Sequence, residues 1–136
     1  DNIDDEDWHP FLEDIIKEIT PKRRWTYTEL IRNIYIKEQW RDRLFLMLKQ
    51  NLSLENIQHN EEYLAKDYSS ELIEMYSERI INFVEEYMGR KHYQTACRYL
   101  RRMKKLGGND RVNELIEQFR KQYPQRKALM DELTRV

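Results

Sequence analysis

The sequence predicts an all-α protein of seven or eight antiparallel helices. Gly and Pro number three each among 136 residues, which leaves little material for turns. Helix-forming residues dominate the rest, and bulky apolar residues recur at steps of three and four. Hairpin signals such as Asn-Gly and Asp-Gly are absent. Since short links make sequential helices pack together, we expect one domain over residues 1–136, built as a TPR- or HEAT-like right-handed solenoid or a compact helical array.

The N-terminal region predicts an acidic tail followed by a first helix. Residues 1–7 carry five carboxylates, and we expect them to be disordered. The helix runs from about Trp8 to Ile19, and Thr20-Pro21 ends it because a residue before Pro avoids the α region. The chain starts at Asp1 without Met, so we expect it to be a fragment of a longer chain.

The next stretch predicts a basic loop and two helices. Residues 22–24 form the loop, and Thr26 with Glu29 has the spacing of a capping box that opens the second helix. We expect a tight turn near Lys37–Gln39 to separate it from a third helix over residues 39–50. One continuous helix is the alternative, because no Gly or Pro lies between the two.

Serine residues predict the starts of the fourth and fifth helices. Ser53 is expected to cap a helix from Leu54 to about residue 66. Ser69 or Ser70 is expected to cap the next helix, which runs to about residue 88 and buries Tyr87 among other residues. Gly89 suits the left-handed position after that helix.

The sixth predicted helix, residues 90–106, is the most asymmetric stretch of the chain. It holds seven Lys or Arg residues and no Asp or Glu. An apolar series at helical spacing predicts its buried face. That series is Tyr93, Ala96, Cys97, Leu100 and Met103. One face therefore points to a core and the other to water or an anionic partner.

Two further helices are predicted to complete the chain. Gly107-Gly108 ends the sixth helix, and Asp110 is expected to cap the seventh, which ends near Tyr123. Pro124 suits the first position of the eighth. The triplet Glu-Leu-Ile occurs at residues 29–31, 71–73 and 114–116, a spacing typical of HEAT-like repeats, although three common helix residues also coincide by chance.

Charge is unevenly distributed along the chain. Residues 1–89 carry 11 basic and 20 acidic groups, a net of −9, whereas residues 90–136 carry 13 and 5, a net of +8. Such asymmetry is typical of an interaction surface, and it equally fits attraction within one fold or between copies.

Metal binding and catalysis find no support in the residue patterns. Cys97 and the three His residues are too widely spaced for a structural zinc site, which needs four ligands at short spacings, so we expect no metal and no cofactor. No nucleophile, phosphate-binding or dinucleotide motif is present. Cys97 lies on the apolar series and is interpreted as a core residue.

The candidate contact residues are basic and aromatic. On the sixth helix they are Arg98, Arg101, Arg102 and Lys105; upstream they are Arg23, Arg24 and Trp25. These cations could bind the phosphates of a nucleic acid. The competing interpretation is that they form a solvated face and pair with acidic neighbours of the same protein.

Two stretches resemble the TPR-like C-terminal region of bacterial SWIM-type zinc-finger proteins. They are residues 93–106 and 123–133. The residues that carry the resemblance are Tyr93, Ala96, Leu100, Arg126, Ala128, Leu129 and Leu133. The resemblance implies a zinc module upstream in a longer protein. The Cys-x-Cys and Cys-x-His pairs of that family are absent here, so zinc or DNA binding carries over to no residue.

We therefore expect a non-catalytic, cytoplasmic interaction module that contacts a protein partner. The alternative is a nucleic-acid-associated module that uses residues 90–106. A third interpretation is a homodimer in which the acidic half of one copy meets the basic half of another. No apolar run approaches the length of a membrane span, so we expect no membrane association.

Overall fold

Helices form all of the regular structure that is described. The computed structural model describes residues 24–136, with side chains from Thr28 onward, and contains no strand in that range. The helices are α1 (Arg24–Lys37), α2 (Arg41–Gln50), α3 (Leu54–Glu86), α4 (Arg90–Lys105), α5 (Asn109–Gln122) and α6 (Lys127–Leu133). The predicted all-α class is confirmed. The acidic residues 1–7 and the predicted helix over residues 8–19 lie outside the described residues.

The chain divides into two compact units between Met47 and Leu48. The described part of the first unit contains α1 and most of α2. Because α1 already begins at Arg24, the predicted capping box at Thr26 is wrong. Arg24, which was predicted to lie in the basic loop, lies in the first turn of the helix, because Arg is a good helix former.

The predicted turn between the second and third helices is confirmed. Gln39 adopts a positive φ of 59° in the turn that separates α1 from α2. The backbone N–H of Trp40 donates to the carbonyl of Tyr35 over 2.8 Å, and the two rings lie 6.0 Å apart. Among the described side chains of this unit, the buried aliphatic residues are Ile31 and Leu44.

The second unit opens with the predicted cap on α3. Ser53 has extended backbone angles, and its Oγ accepts from the backbone N–H of Asn56 over 3.1 Å. One of the free N–H groups at the start of a helix is thereby satisfied. The prediction for Ser53 is confirmed.

Tyr68 interrupts α3 where a new helix was expected to start. Its angles (φ −129°, ψ 27°) are not helical, so α3 consists of two helical arms that meet at a kink, and the predicted break between the fourth and fifth helices is confirmed at Tyr68. Ser69 and Ser70 lie in the first turn of the second arm. The hydroxyl of Tyr76 donates to Glu61 Oε1 over 2.6 Å. A straight helix would separate residues fifteen apart by about 22 Å, so the two arms of α3 must bend toward each other at Tyr68.

Glycine ends α4 in the predicted manner. Gly107 has a φ of +95°, and the N–H of Gly108 donates to the carbonyl of Met103 over 2.9 Å. The N–H of Gly107 also donates to Lys104 over 3.0 Å, which completes a Schellman motif. The chain then enters α5 directly with Gly108 at the N-cap, so the cap predicted at Asp110 is wrong.

Gly89 lies at the start of α4, whereas it was predicted to follow the end of α3. It has a φ of +106° and a ψ of 151°, which is not the left-handed helical region, and it stands at the N-cap of α4. Tyr87 is the residue that caps α3, in extended conformation. The predicted left-handed position after α3 is therefore wrong, although Gly89 still needs the freedom of glycine.

The last helix begins three residues later than predicted. Pro124 lies in a turn, and α6 starts only at Lys127. The helix starts late because the side chain of Arg126 is engaged with Tyr123 and with the end of α3. The Arg126 guanidinium lies 4.0 Å from the ring centre of Tyr123, and its Nη1 donates to the carbonyl of Val84 over 2.6 Å. A cation there stabilises the carboxyl end of α3.

An ion-pair cluster fixes α6 against the start of α4. Arg90 Nη1 lies 2.8 Å from both Asp131 Oδ2 and Glu132 Oε1. The hydrogen bond from Arg90 lowers the pKa of Asp131. Glu132 is 3% exposed, so Arg90 and Arg135 supply the positive charge that its buried carboxylate requires.

The core of the second unit contains the apolar face predicted for α4. Tyr93, Ala96, Cys97, Leu100 and Met103 are all buried. Residues from the neighbouring helices complete this core: Leu72, Tyr76, Ile80, Val84, Val112, Leu115, Phe119, Leu129 and Leu133. Helix α4 is thus packed on one side along its whole length, which holds its opposite side in a fixed position.

Candidate interaction surface

The exposed face of α4 presents a line of cations. We call Lys91, Arg98, Arg101 and Lys105 the basic stripe. Successive residues of a helix turn by about 100°, so these four fall within about 80° of one another, opposite the buried face. All four are exposed, and the stripe extends over 14 residue steps, about 21 Å. Within residues 24–136, no ion pair joins any of them to Asp or Glu.

Arg102 does not belong to this exposed set, although it was predicted with it. Its Nε and Nη2 donate to the two carboxylate oxygens of Glu61, each over 3.1 Å. Glu61 also accepts the hydroxyl of Tyr76, so one carboxylate joins both arms of α3 to α4. Burial raises the pKa of Tyr76, and the carboxylate of Glu61 raises it further. Arg102 is therefore a structural residue. It pairs with an acidic neighbour, Glu61, as the competing interpretation of the basic face predicted.

Arg98 contacts a ring and Arg101 contacts a backbone carbonyl, so the positive charges of both side chains remain available to an anionic partner. The guanidinium of Arg98 lies 5.3 Å from the ring centre of Tyr99. Arg101 Nη2 donates to the backbone carbonyl of Arg135 over 3.3 Å. Tyr99 itself is 2% exposed and Tyr93 is 3% exposed, so neither ring offers a stacking platform to a nucleobase.

The other predicted contact residues belong to the first unit. Arg23 lies outside the described residues, and the side chains of Arg24 and Trp25 lie outside them too. Their contribution to a binding surface stays a prediction.

A small apolar corner joins α3 to α4. Met88 is 65% exposed and Tyr87 is 41% exposed, where the sequence predicted a buried Tyr87. The helix ends at Glu86, so the extended backbone of Tyr87 carries its side chain off the buried face. The ring of His92 stacks on Tyr87 at 5.0 Å, and its Nδ1 is hydrogen-bonded to the carbonyl of Met88 over 3.0 Å.

The sequence did not predict this corner, because the three-to-four spacing of apolar residues continues to Tyr87 although the helix ends at Glu86. Tyr87 follows Val84 by three residues and Ile80 by seven, which places it on the buried face of an ideal helix. The signal that could have found the corner is Gly89, since a glycine after a helical run indicates that the last turn lies a few residues earlier.

Potential metal ligands are not grouped in the described part of the chain. Within residues 24–136, no cluster of three or more His, Cys, Asp or Glu side chains could hold a metal ion. Cys97 is buried, and burial raises its pKa to about 11, so the thiol is uncharged at neutral pH. This environment agrees with the interpretation of Cys97 as a core residue.

A shallow depression of about 780 Å³ runs along α5. Its lining residues all come from that one helix: Asp110, Asn113, Glu114, Glu117, Gln118, Lys121 and Gln122. A single helix cannot enclose a substrate, so this depression has the form of a solvated face. Among residues 24–136, no helix combines the length and apolar character needed to cross a lipid bilayer.

Comparisons with known proteins return no relative. No protein-family model, no curated protein and no solved structure matches the chain.

Proposed function

We propose that this chain is a non-catalytic helical-repeat module that mediates protein–protein contacts within a larger protein. The observation that carries the proposal is the apolar corner formed by Tyr87 and Met88. Aromatic and Met side chains are enriched at protein interfaces, and a few exposed anchors of this kind supply much of the binding energy.

The corner is ordered, which favours a role in recognition. Tyr87 packs on His92 and lies 4.9 Å from the ring of Phe83, so three rings restrict one another. The positive φ of Gly89 fixes the direction in which the chain leaves the corner. A preorganised anchor loses less conformational entropy when a partner binds.

The proposal extends to the architecture and origin of the chain. Links of three or four residues between α3, α4, α5 and α6 support a stack of antiparallel helices. We infer a TPR- or HEAT-like right-handed solenoid of seven or eight helices, located in the cytoplasm. The resemblance to SWIM-type zinc-finger proteins predicts an upstream zinc module, and paired Cys and His residues in a longer parent sequence would support it.

Site-specific photocrosslinking tests the contact surface. A photoreactive amino acid at position 88, introduced in the native host, should yield a discrete crosslinked product, and Tyr87→Ser should reduce it. The matched control places the same group at the exposed Gln118 on α5. Equal products at both positions would contradict the proposal, as would a catalytic turnover that maps to this chain.

A second candidate is a nucleic-acid-associated module, which the basic stripe on α4 favours. Its cations have no carboxylate partner in the described chain, so they are available to phosphates. Because Tyr93 and Tyr99 are buried, such binding would involve the phosphate backbone and not base stacking.

A salt titration of fluorescent duplex DNA tests this second candidate. Binding should weaken steeply with salt, with a logarithmic slope near −0.9 for each phosphate contacted. Arg98→Glu with Arg101→Glu should abolish it, whereas the exposed Arg120→Glu on α5 should not. Arg102 is unsuitable for this test because its replacement would break the pair with Glu61. An absence of binding at low salt would eliminate the candidate.

A further inference from the structure

The outer face of α3 carries a line of acids that matches the basic stripe in length. We call Glu71, Glu74, Glu78 and Glu85 the acidic stripe. They fall within about 60° of one another on the helix, and they extend over 14 residue steps, about 21 Å. All four are exposed. Glu74 lies 3.6 Å from Arg111, and within residues 24–136 the other three make no ion pair.

The two stripes of one molecule cannot neutralise each other. Helix α3 meets α4 through Tyr76 against Tyr99 and through Phe83 against His92. Tyr76 and Phe83 project from the side of α3 opposite to the acidic stripe. Both stripes therefore face solvent in a single copy, and apart from the contact between Glu74 and Arg111 neither stripe meets opposite charge within the described residues.

The spacing of the charges indicates how two helices would align. In antiparallel alignment the acids, counted back from Glu85, stand at steps of 0, 7, 11 and 14 residues. The cations, counted forward from Lys91, stand at 0, 7, 10 and 14. The single mismatch is one residue, about 1.5 Å along a helix. Parallel alignment would match three charges and leave Glu74 opposite Gln94.

We propose that the basic stripe of one copy docks antiparallel on the acidic stripe of a second copy. The pairs are Glu85 with Lys91, Glu78 with Arg98, Glu74 with Arg101, and Glu71 with Lys105. The net charge of −1 favours this occupant over nucleic acid, because the acidic faces of the same molecule would repel phosphates. The two docking surfaces differ, so the association is head-to-tail and extends beyond a dimer unless it closes into a ring.

The association should be weak and strongly dependent on salt. Exposed ion pairs contribute little individually and are screened at moderate ionic strength, so we expect a Kd of about 1 mM in dilute buffer. Small-angle X-ray scattering over a concentration series gives the mean mass. It should rise with concentration at about 20 mM salt and stay at the monomer value at about 500 mM, where the pairs are screened.

Charge exchange tests the alignment itself. Glu78→Arg and Arg98→Glu should each abolish self-association, and the two variants mixed should associate because each retains one native stripe. The double variant should regain association, since residues 78 and 98 face each other in this register. Residues 78 and 98 also face each other in the parallel alignment, so a second pair of double variants decides the direction. Glu71→Arg with Lys105→Glu should associate, whereas Glu71→Arg with Lys91→Glu should not. The controls Glu117→Arg and Arg120→Glu, on the exposed face of α5, should behave as wild type.

Three results would overturn the proposal. They are a constant monomer mass at low salt, self-association that survives both single exchanges, and failure of the mixed variants to associate. Binding of duplex DNA by a chain that stays monomeric would assign the basic stripe to nucleic acid instead. None of these results bears on photocrosslinking at position 88, so the two proposals fail independently.

Discussion

Replacing Arg102 with Met should destabilise the second unit although Arg102 is a surface-accessible residue of a basic helix. The substitution keeps most of the aliphatic stem and removes the guanidinium. Glu61 then loses two hydrogen bonds of 3.1 Å and keeps only the bond of 2.6 Å from the Tyr76 hydroxyl. The partly buried carboxylate is left without its counter-charge.

The size of the effect follows from the exposure of the pair. Exposed ion pairs contribute about 0.2–1 kcal/mol, whereas removing one partner of a fully buried pair costs about 3–5 kcal/mol. The side chains of Arg102 and Glu61 are 29% and 13% exposed, which places this pair between those limits. We expect Arg102→Met to lower the free energy of unfolding by about 2 kcal/mol.

Urea unfolding followed by circular dichroism measures the loss, and Arg98→Met is the matched control. Arg98 is on the same helix but exposed and without an ion pair in the described chain, so its replacement should change stability by less than about 0.5 kcal/mol. Tyr76→Phe removes the other contact to Glu61 Oε1. The double variant should depart from additivity by at least about 0.5 kcal/mol, because the two contacts share one oxygen.

Equal stability of the Arg102→Met and Arg98→Met variants would refute this reasoning. It would mean that water replaces the guanidinium at no cost, and that α4 and the two arms of α3 are held together by apolar packing alone. Strict additivity with Tyr76→Phe would show that the two contacts to Glu61 act independently.

Three further predictions address the core, the cap and the thiol. Leu100→Ala, at a fully buried position, should lower the free energy of unfolding by about 2–5 kcal/mol in urea, and a loss under 1 kcal/mol would contradict its burial. Ser53→Ala should cost about 1 kcal/mol, whereas Ser53→Gly should cost only a few tenths; equal costs would argue against the bond to Asn56. Burial raises the pKa of Cys97 to about 11, so folding favours its neutral thiol. That stability is complete below the unfolded pKa, about 8.5, and is lost as pH rises toward 11. Unfolding of Cys97→Ala measured from pH 8 to 10.5 should show a flatter pH dependence than wild type, by at most about 1.4 kcal/mol per pH unit.

Local chemistry explains which parts of the fold the sequence could predict. The buried face of α4 follows from the spacing of Tyr93, Leu100 and Met103, because three-to-four periodicity leaves a single way to bury them. Ser53 and Gly107 were predictable for a similar reason. Each satisfies backbone groups within a few residues of itself, so no distant contact competes.

The helix boundaries that the sequence mispredicted depend on distant contacts. Pro124 fits the first turn of a helix, but Arg126 is drawn to Val84, 42 residues away, and α6 starts only after it. Asp110 is a good cap by propensity, yet the Schellman turn at Gly108 already starts α5. Propensity is a weak signal wherever a tertiary contact fixes the same backbone.

The sequence predicted that the candidate surface is basic, but it could not predict which basic residues of α4 belong to it. Helical spacing alone cannot separate Arg102 from Arg98, because both project from the polar side of α4. The difference lies in Glu61, 41 residues earlier, which reaches Arg102 only because α3 bends at Tyr68. The acidic stripe likewise required the structure, since it shows which carboxylates stay exposed.

The two arginine contacts of α6 have a consequence for the order in which the second unit is synthesised and folded. Arg126 donates to the carbonyl of Val84 near the end of α3, and Arg90 binds Asp131 and Glu132. These contacts join residues more than 40 positions apart in the chain. Until α6 has left the ribosome, the carboxyl end of α3 lacks its cation and the first turn of α4 lacks its anions. A nascent chain stalled before Pro124 should therefore be more sensitive to protease near Gly89 than the released protein.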